Sequence, residues 1–137
     1  MSGYVQTNQI VILPDEDLDI SETDTGKIFI GPQATIAPTD FTLPLPKPGL
    51  HYKIINGATL ALAQSVQINT NTAAAILYGR VVTGPTGGIA FLAVSANTQI
   101  RFLAATSVLG DTIELSSDGT NWYVNGISQV AGGITVT

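Results

Sequence analysis

The segment GDTIELSSDGTNWYVNG, residues 110 to 126, decides how the rest of the chain is read. An Asp-Gly pair between two alternating runs is a strong hairpin signal, because both residues tolerate the positive φ of a type I′ turn. With Asp118 and Gly119 as a two-residue loop, Ser117 faces Thr120, Leu115 faces Trp122 and Ile113 faces Val124. The apolar residues of both strands then share one side, with Trp122 as the largest buried group, and Glu114 and Tyr123 meet on the other.

The flanking chain is written in the same style. Strand-like runs occur at Gln9 to Leu13, Lys27 to Ile30, His51 to Ile55, Val66 to Asn69, Ile89 to Val94 and Gln99 to Ala104, and Ile134 to Thr137 forms a short tail. The run at Ile89 to Val94 reads as buried. Asp24 to Gly26 marks a turn, Asn56-Gly57 a second hairpin leading into Thr59 to Ala63, and Asn125-Gly126 a third tight turn. Thr72 to Gly79 fits either a short Thr-capped helix or a strand beginning near Ile76, and strand is the preferred reading. Three prolines between Leu43 and Gly49 suit a corner or a sheet edge. Short Thr/Val/Ile-rich runs with turn signals every 8 to 12 residues predict an all-β protein, an antiparallel β-sandwich, jelly roll or small barrel. Residues 1 to 9 read as a flexible arm and residues 10 to 137 as a single β domain.

Charged residues make up 11% of the 137 residues, against about 25% in an ordinary soluble domain. Six of the fifteen crowd between Asp15 and Asp24, so most of the remaining surface is neutral. A surface of that kind predicts contact with other protein chains, in a homo-oligomer or a larger assembly. The net charge of -5 argues against nucleic acid as a partner. There is no cysteine, so neither a disulfide nor a thiolate site is available. The N-terminus lacks the pattern of a secretory signal, and no run approaches the ~20 apolar residues that span a bilayer, so no membrane association is expected.

Residues able to carry chemistry are few. His51 is the only histidine, and no nucleophile-elbow pattern accompanies it. Asp15, Asp17 and Asp19 open like a calcium loop, but Ile20 stands where an EF-hand needs Gly and Gly26 where it needs Glu. Gly84-Pro85-Thr86-Gly87-Gly88 lacks the Gly-Lys-Ser/Thr ending of a phosphate loop. Asp111 and Glu114 show no pairing across a cleft. The expectation is therefore no enzyme, no metal and no cofactor. Tyr123, near Asn121 and Asp118, suits packing or subunit contact better than stacking on a sugar.

Three segments together, TDTGKIFI (residues 23 to 30), FTLPLPKPGLHYKII (41 to 55) and GDTIELSSDGTNWYVNG (110 to 126), resemble a module of bacteriophage and other viral structural proteins. The resemblance covers about residues 20 to 130. It implies a virion component, commonly a homotrimer, made in the host cytoplasm and assembled on the particle, and it carries no catalytic residues. Without a coiled-coil or collagen-like shaft, the expectation is a capsid decoration or minor capsid protein bound to the major capsid protein on the shell surface. The alternative is a receptor- or glycan-binding module of a tail fibre or spike. Tyr4, Val5, Trp122 and Tyr123 are the candidate capsid or subunit contacts, the first two through an arm adding a strand to a capsid edge.

Overall fold

A computed structural model of the chain describes residues 9–35, 37–58, 62–84 and 88–137. Their strands are β1 (Ile10–Ile12), β2 (Leu18–Asp19), β3 (Ile28–Gly31), β4 (Thr39–Thr42), β5 (Pro48–Asn56), β6 (Val66–Asn69), β7 (Leu77–Thr83), β8 (Ala90–Asn97), β9 (Gln99–Phe102), β10 (Thr112–Asp118), β11 (Trp122–Ser128) and β12 (Ile134–Val136). They form a seven-stranded sheet in the order β1-β3-β5-β10-β11-β7-β8 and a five-stranded sheet in the order β12-β9-β6-β4-β2. Helix among the described residues is confined to short 3₁₀ turns, such as Glu22–Asp24 capped by the Ser21 side chain. The protein is all-β, and its two sheets enclose one apolar core as a sandwich.

The sheets are mixed, not antiparallel. From β1 to β6 the chain alternates between sheets, and each strand lies parallel to its predecessor in the same sheet: β1 to β3 to β5 in the large one, β2 to β4 to β6 in the small one. This half is a flattened coil, in which connections cross from one layer to the other. The Pro-rich corner, with Pro44 buried, is one such crossing, from β4 to β5. Asn56-Gly57 is another: Asn56 Oδ1 accepts from the Ala58 N–H at 3.0 Å, and the next described strand, β6, belongs to the opposite sheet. No hairpin forms there, and residues 59–61 of the expected return strand lie outside the described residues. The second half is built from antiparallel pairs, β5 with β10, β10 with β11, β7 with β8 and β9 with both β6 and β12, plus one parallel pair of β11 with β7.

The 110–126 hairpin forms with a longer loop. Ser117 pairs with Trp122, Leu115 with Val124 and Ile113 with Gly126, so Asp118 to Asn121 make up the turn. Asp118 Oδ1 accepts the N–H groups of Thr120 and Asn121, both at 2.8 Å, and only Gly119 takes a positive φ. The side chain thus satisfies donors that a tighter turn would have placed in the ladder. The pairing is displaced by two residues, so every side chain keeps its predicted face. Asn125-Gly126 is not a turn; both residues lie inside β11. The segment before β7 is a turn-rich connection held by Thr70 Oγ1 donating to the Ala74 carbonyl at 2.9 Å, and the strand begins at Leu77.

Cross-strand rows build the core. Phe29, Ile54, Ile113, Gly126 and Val81 form one row of the large sheet; Tyr52, Leu115, Val124, Gly79 and Val94 form the next. Phe41, Ile68 and Ile100, with Val66, Phe102 and Ile134, answer from the small sheet. Each such side chain contributes about 1.5–3 kcal/mol by leaving water. Tyr52 sits at the centre, 6.1 Å from the Phe29 ring and 5.8 Å from Trp122. Its hydroxyl donates to the Ser21 carbonyl at 2.9 Å. Burial, followed by the charges of Asp24 and Glu22, pushes the phenol up to about 12.

Gly79 shows how tightly the rows interlock. It has φ +138°, and an added Cβ would overlap the Val124 backbone. Gly79→Ala is expected to destabilise the protein by about 2–4 kcal/mol, combining backbone strain with a clash against the Val124 backbone of the neighbouring strand. Urea unfolding followed by Trp122 fluorescence checks this; a midpoint equal to that of the parent chain would contradict it.

Candidate functional site

Strand pairing also dictates what the large sheet shows to solvent. Following the partners from β1 to β8, one row of its outer face reads Ile12, Ile30, Ile55, Thr112, Ile127, Val82 and Phe91. It crosses all seven strands with six apolar side chains and one threonine. Ile12 is 71% exposed, Phe91 70% and Ile127 56%. The adjacent row begins with Ile10 and Ile28 and continues through Lys53, Glu114, Asn125, Arg80 and Ala93. Lys53 Nζ lies 3.6 Å from Glu114 Oε1, a half-exposed pair that contributes little to stability. A third row holds His51, Ser116, Tyr123, Tyr78 and Ser95.

The outer face of the small sheet has the opposite chemistry. Its rows are Asp40, Gln67, Arg101 and Thr135, beside Thr42, Asn69 and Gln99. Asn69 Nδ2 donates to Asp40 Oδ1 at 3.0 Å, Gln99 Nε2 to Asn69 Oδ1 at 2.7 Å and Arg101 Nε to Thr135 Oγ1 at 2.9 Å. One face is suited to water. The other presents a band of uncovered hydrocarbon, the usual mark of a protein contact surface.

The contact residues expected from sequence divide accordingly. Trp122 is fully buried between Tyr52 and the β-sheet core, so it cannot touch a partner; its indole N–H has no hydrogen-bond acceptor among the described residues. Tyr123 is 48% exposed on the outer face beside Tyr78, its hydroxyl donating to Asp118 Oδ2 at 2.8 Å. Tyr4 and Val5 lie outside the described residues. The run at Ile89 to Val94 is not buried: β8 is an edge strand, with Ile89 74% exposed and Phe91 close behind. The apolar band was present in the sequence as consecutive apolar residues within strands, Ile10-Val11-Ile12, Ile28-Phe29-Ile30, Ile54-Ile55 and Val81-Val82. With a side-chain period of two, such doublets place hydrocarbon on both faces.

The polar candidates have structural employment. Asp15 Oδ2 accepts from the Thr35 N–H and hydroxyl and its Oδ1 from Thr39, while Asp17 Oδ1 accepts from the Asp40 N–H at 2.8 Å. These carboxylates line a shallow cavity of about 300 Å3 with Pro38 and Thr39, and they fasten the loop before β2 to β4. No group of three metal-ligating side chains occurs among the described residues. His51 Nδ1 is 2.8 Å from Ser116 Oγ, on the open face of the sheet. Of the 84–88 loop, residues 85–87 lie outside the described set, and Gly84 N–H donates to the Ser128 carbonyl.

Asp111 is the most constrained polar residue. Fully buried, it accepts from Ser107 Oγ (2.8 Å), Val108 N–H (3.1 Å), Ser128 Oγ (3.0 Å) and Gln129 N–H (2.9 Å). Asn56 joins the cluster by donating to Ser107 Oγ at 2.9 Å. The cluster pins the loop after β9 to the ends of β5 and β11 at one margin of the apolar band.

No protein-family model matches the chain, and no curated protein matches it. None of its described helices is long and apolar enough to cross a membrane.

Asp111→Ala is expected to cost about 3 kcal/mol or more, since four donors lose their acceptor in a buried site; calorimetry would reveal it, and a loss under about 1 kcal/mol would contradict the role. The acid limb of stability is a second test. The Asn121 and Thr120 amides, then the Tyr123 hydroxyl, hold Asp118 below its ordinary 3.8, and the Thr35 amide does the same for Asp15. A lowered folded-state pKa contributes stability above the ordinary value that is lost as pH falls through the lower one. Stability should therefore decline below about pH 4, with a shallower slope in Asp118→Asn. Identical acid limbs in the two proteins would contradict it.

Proposed function

We propose that the chain is a viral structural protein, a capsid decoration or minor capsid protein that is assembled in the host cytoplasm, acts as an oligomer of three copies and lies on the outer shell against the major capsid protein. The observation carrying this reading is the contrast between the two outer faces: an uncharged apolar band on one sheet and a hydrogen-bonded polar ladder on the other. A molecule with one face built for protein and the other for water suits a place on the surface of a larger assembly. The low charge content and the likeness to viral β modules support the same reading.

The action would be mechanical. A protein that binds only the assembled shell shifts the equilibrium toward that shell by mass action, about 2.7 kcal/mol for each site at a free concentration one hundred times Kd. No group on the chain needs to turn over a substrate, and neither nucleic acid nor lipid is required.

A second reading rests on Tyr78 and Tyr123, which are cross-strand neighbours on the outer face of the large sheet. Tyr123 is exposed and Tyr78 half-buried beside it, and surface aromatic rings stack on sugars, which would suit a glycan-binding module of a tail fibre or spike.

Gold-labelled antibody against the purified chain, applied to particles from the lysate in which it is made, tests both readings. Many copies distributed over the shell are expected. A few copies at a tail tip, together with saturable glycan binding lost in Tyr78→Ala, would favour the second reading, and unlabelled particles would overturn both.

A further inference from the structure

We infer that β8 is a pairing edge, along which two copies of this chain join antiparallel about a two-fold axis so that their large sheets run on as one. The inference goes beyond the proposed function and does not rest on it; a two-fold contact of this kind would join one three-copy unit to its neighbour.

The edges of the two sheets are not alike. β1 and β12 are three residues long, and β2 is two residues long with Asp19 in it and Asp17 just before it. Natural sheets blunt their edges in these ways, by shortness or charge, because an open strand is a template for another. β8 lacks both devices. Its eight residues, AFLAVSAN from Ala90 to Asn97, contain no charge and no proline, and among the described residues no strand lies on its far side.

The hydrogen bonds at the two ends of β8 show which backbone groups it offers. The Ser95 N–H donates to Asn97 Oδ1 at 2.8 Å and not to β7, so it points to the open edge. The Ala90 carbonyl points the other way, where Thr83 Oγ1 of β7 reaches it at 3.5 Å. Pairing with β7 is regular from Ala90 to Ser95. Alternation along the strand therefore turns the N–H and C=O of Phe91 and Ala93 to the open edge, while Ala90, Leu92 and Val94 bond to β7. What fits such a row is an extended strand that loses no charge to desolvation.

β8 is itself such a strand, and its sequence complements itself. With the axis at Leu92, Phe91 lies opposite Ala93 of the second copy and Ala93 opposite its Phe91, so each exchanges both backbone bonds with the other. On the outer face this sets a large ring, 70% exposed in the single chain, beside a methyl group. On the inner face Leu92 meets its own copy, at a margin where Leu92 and Val136 are only partly buried against the core. An axis at Ala93 would instead require the Ser95 N–H, which Asn97 already holds.

The absence of cysteine makes the test direct. Residues opposite each other in a non-hydrogen-bonded pair have Cα atoms about 4.5 Å apart, within reach of a disulfide. Mild oxidation of the full chain carrying Leu92→Cys is expected to link it to its own copy, whereas Ala93→Cys links efficiently only when mixed with Phe91→Cys. Ala93→Pro removes an outward N–H and leaves the β7 ladder intact, so it should weaken self-association about tenfold or more while keeping the parent circular dichroism. Ala93→Lys keeps the amide but sets an ammonium group from each copy beside the axis, and a similar loss there covers the case in which the proline variant fails to fold. The inference is overturned by a monomer in sedimentation at micromolar concentration, by Ala93→Cys linking to itself as readily as Leu92→Cys, or by Ile127→Lys on the outer face weakening association as much as Ala93→Lys. Loss of self-association on deleting residues 1 to 9 would assign the edge to the N-terminal arm and overturn it as well. Edge pairing in a chain that labels no particle would keep the inference and remove the viral role, and labelled particles with a monomeric chain would do the reverse.

Discussion

The large sheet carries hydrocarbon on both faces, and the small sheet is able to cover only one of them. Seven strands stand against five, one of which, β2, is only two residues long. The inner rows through Phe29, Tyr52, Ile113 and Trp122 are sealed by Phe41, Ile68, Ile100 and Phe102. Along the outer row from Ile12 to Phe91, the side chains of Ile12, Ile127 and Phe91 are each more than half exposed. At about 25 cal/mol per Å2, leaving such a band in water forgoes a sizeable stabilisation. The fold is complete as a sandwich and incomplete as a surface, and the functional reading follows from that inequality.

Polar residues limit the fold by location. Asp111 sits where the loop after β9 meets the ends of β5 and β11, and its four accepted hydrogen bonds offset the cost of burying a carboxylate without a cation. Asp15 and Asp17 do comparable work at the loop before β2, and Asp118 at the turn of the β10-β11 hairpin. In each case a carboxylate satisfies amide or hydroxyl donors that lie outside the strand ladders. The acidic residues that look like ligands in the sequence are instead the clasps of a loop-rich sandwich. Trp122 is the exception, because its ring fills the core while its N–H meets no acceptor among the described residues.

Several expectations survived because they depend only on parity. The 110–126 hairpin has its pairing displaced by two residues and a longer loop, yet Ile113, Leu115, Trp122 and Val124 remain inward, because a displacement of two restores the same face. Tyr123 remains outward for the same reason. The two Asn-Gly dipeptides did not make the turns expected of them. Asn56-Gly57 directs the chain between layers, and Asn125-Gly126 continues a strand in which Gly126 makes room for Val81. The apolar run around Phe91 reads as buried in the sequence because hydrophobicity marks a residue that prefers to leave water, not whether its own chain provides the cover.

The sequence by itself determined the strand content, the positions of most strands, the inward and outward alternation within each, and the neutral character of the surface. All are properties of one residue and its near neighbours: β-branched side chains, a period of two, and few charges. The tertiary structure alone decided that half the strand pairs are parallel, that the first six strands alternate between sheets, and that six apolar side chains from six strands line up as one uncovered band. Parallel pairing joins residues such as Ile10, Ile28 and Lys53 across crossings of the core. Local preference is blind to such pairings, since they are chosen by how two whole layers bury their shared face.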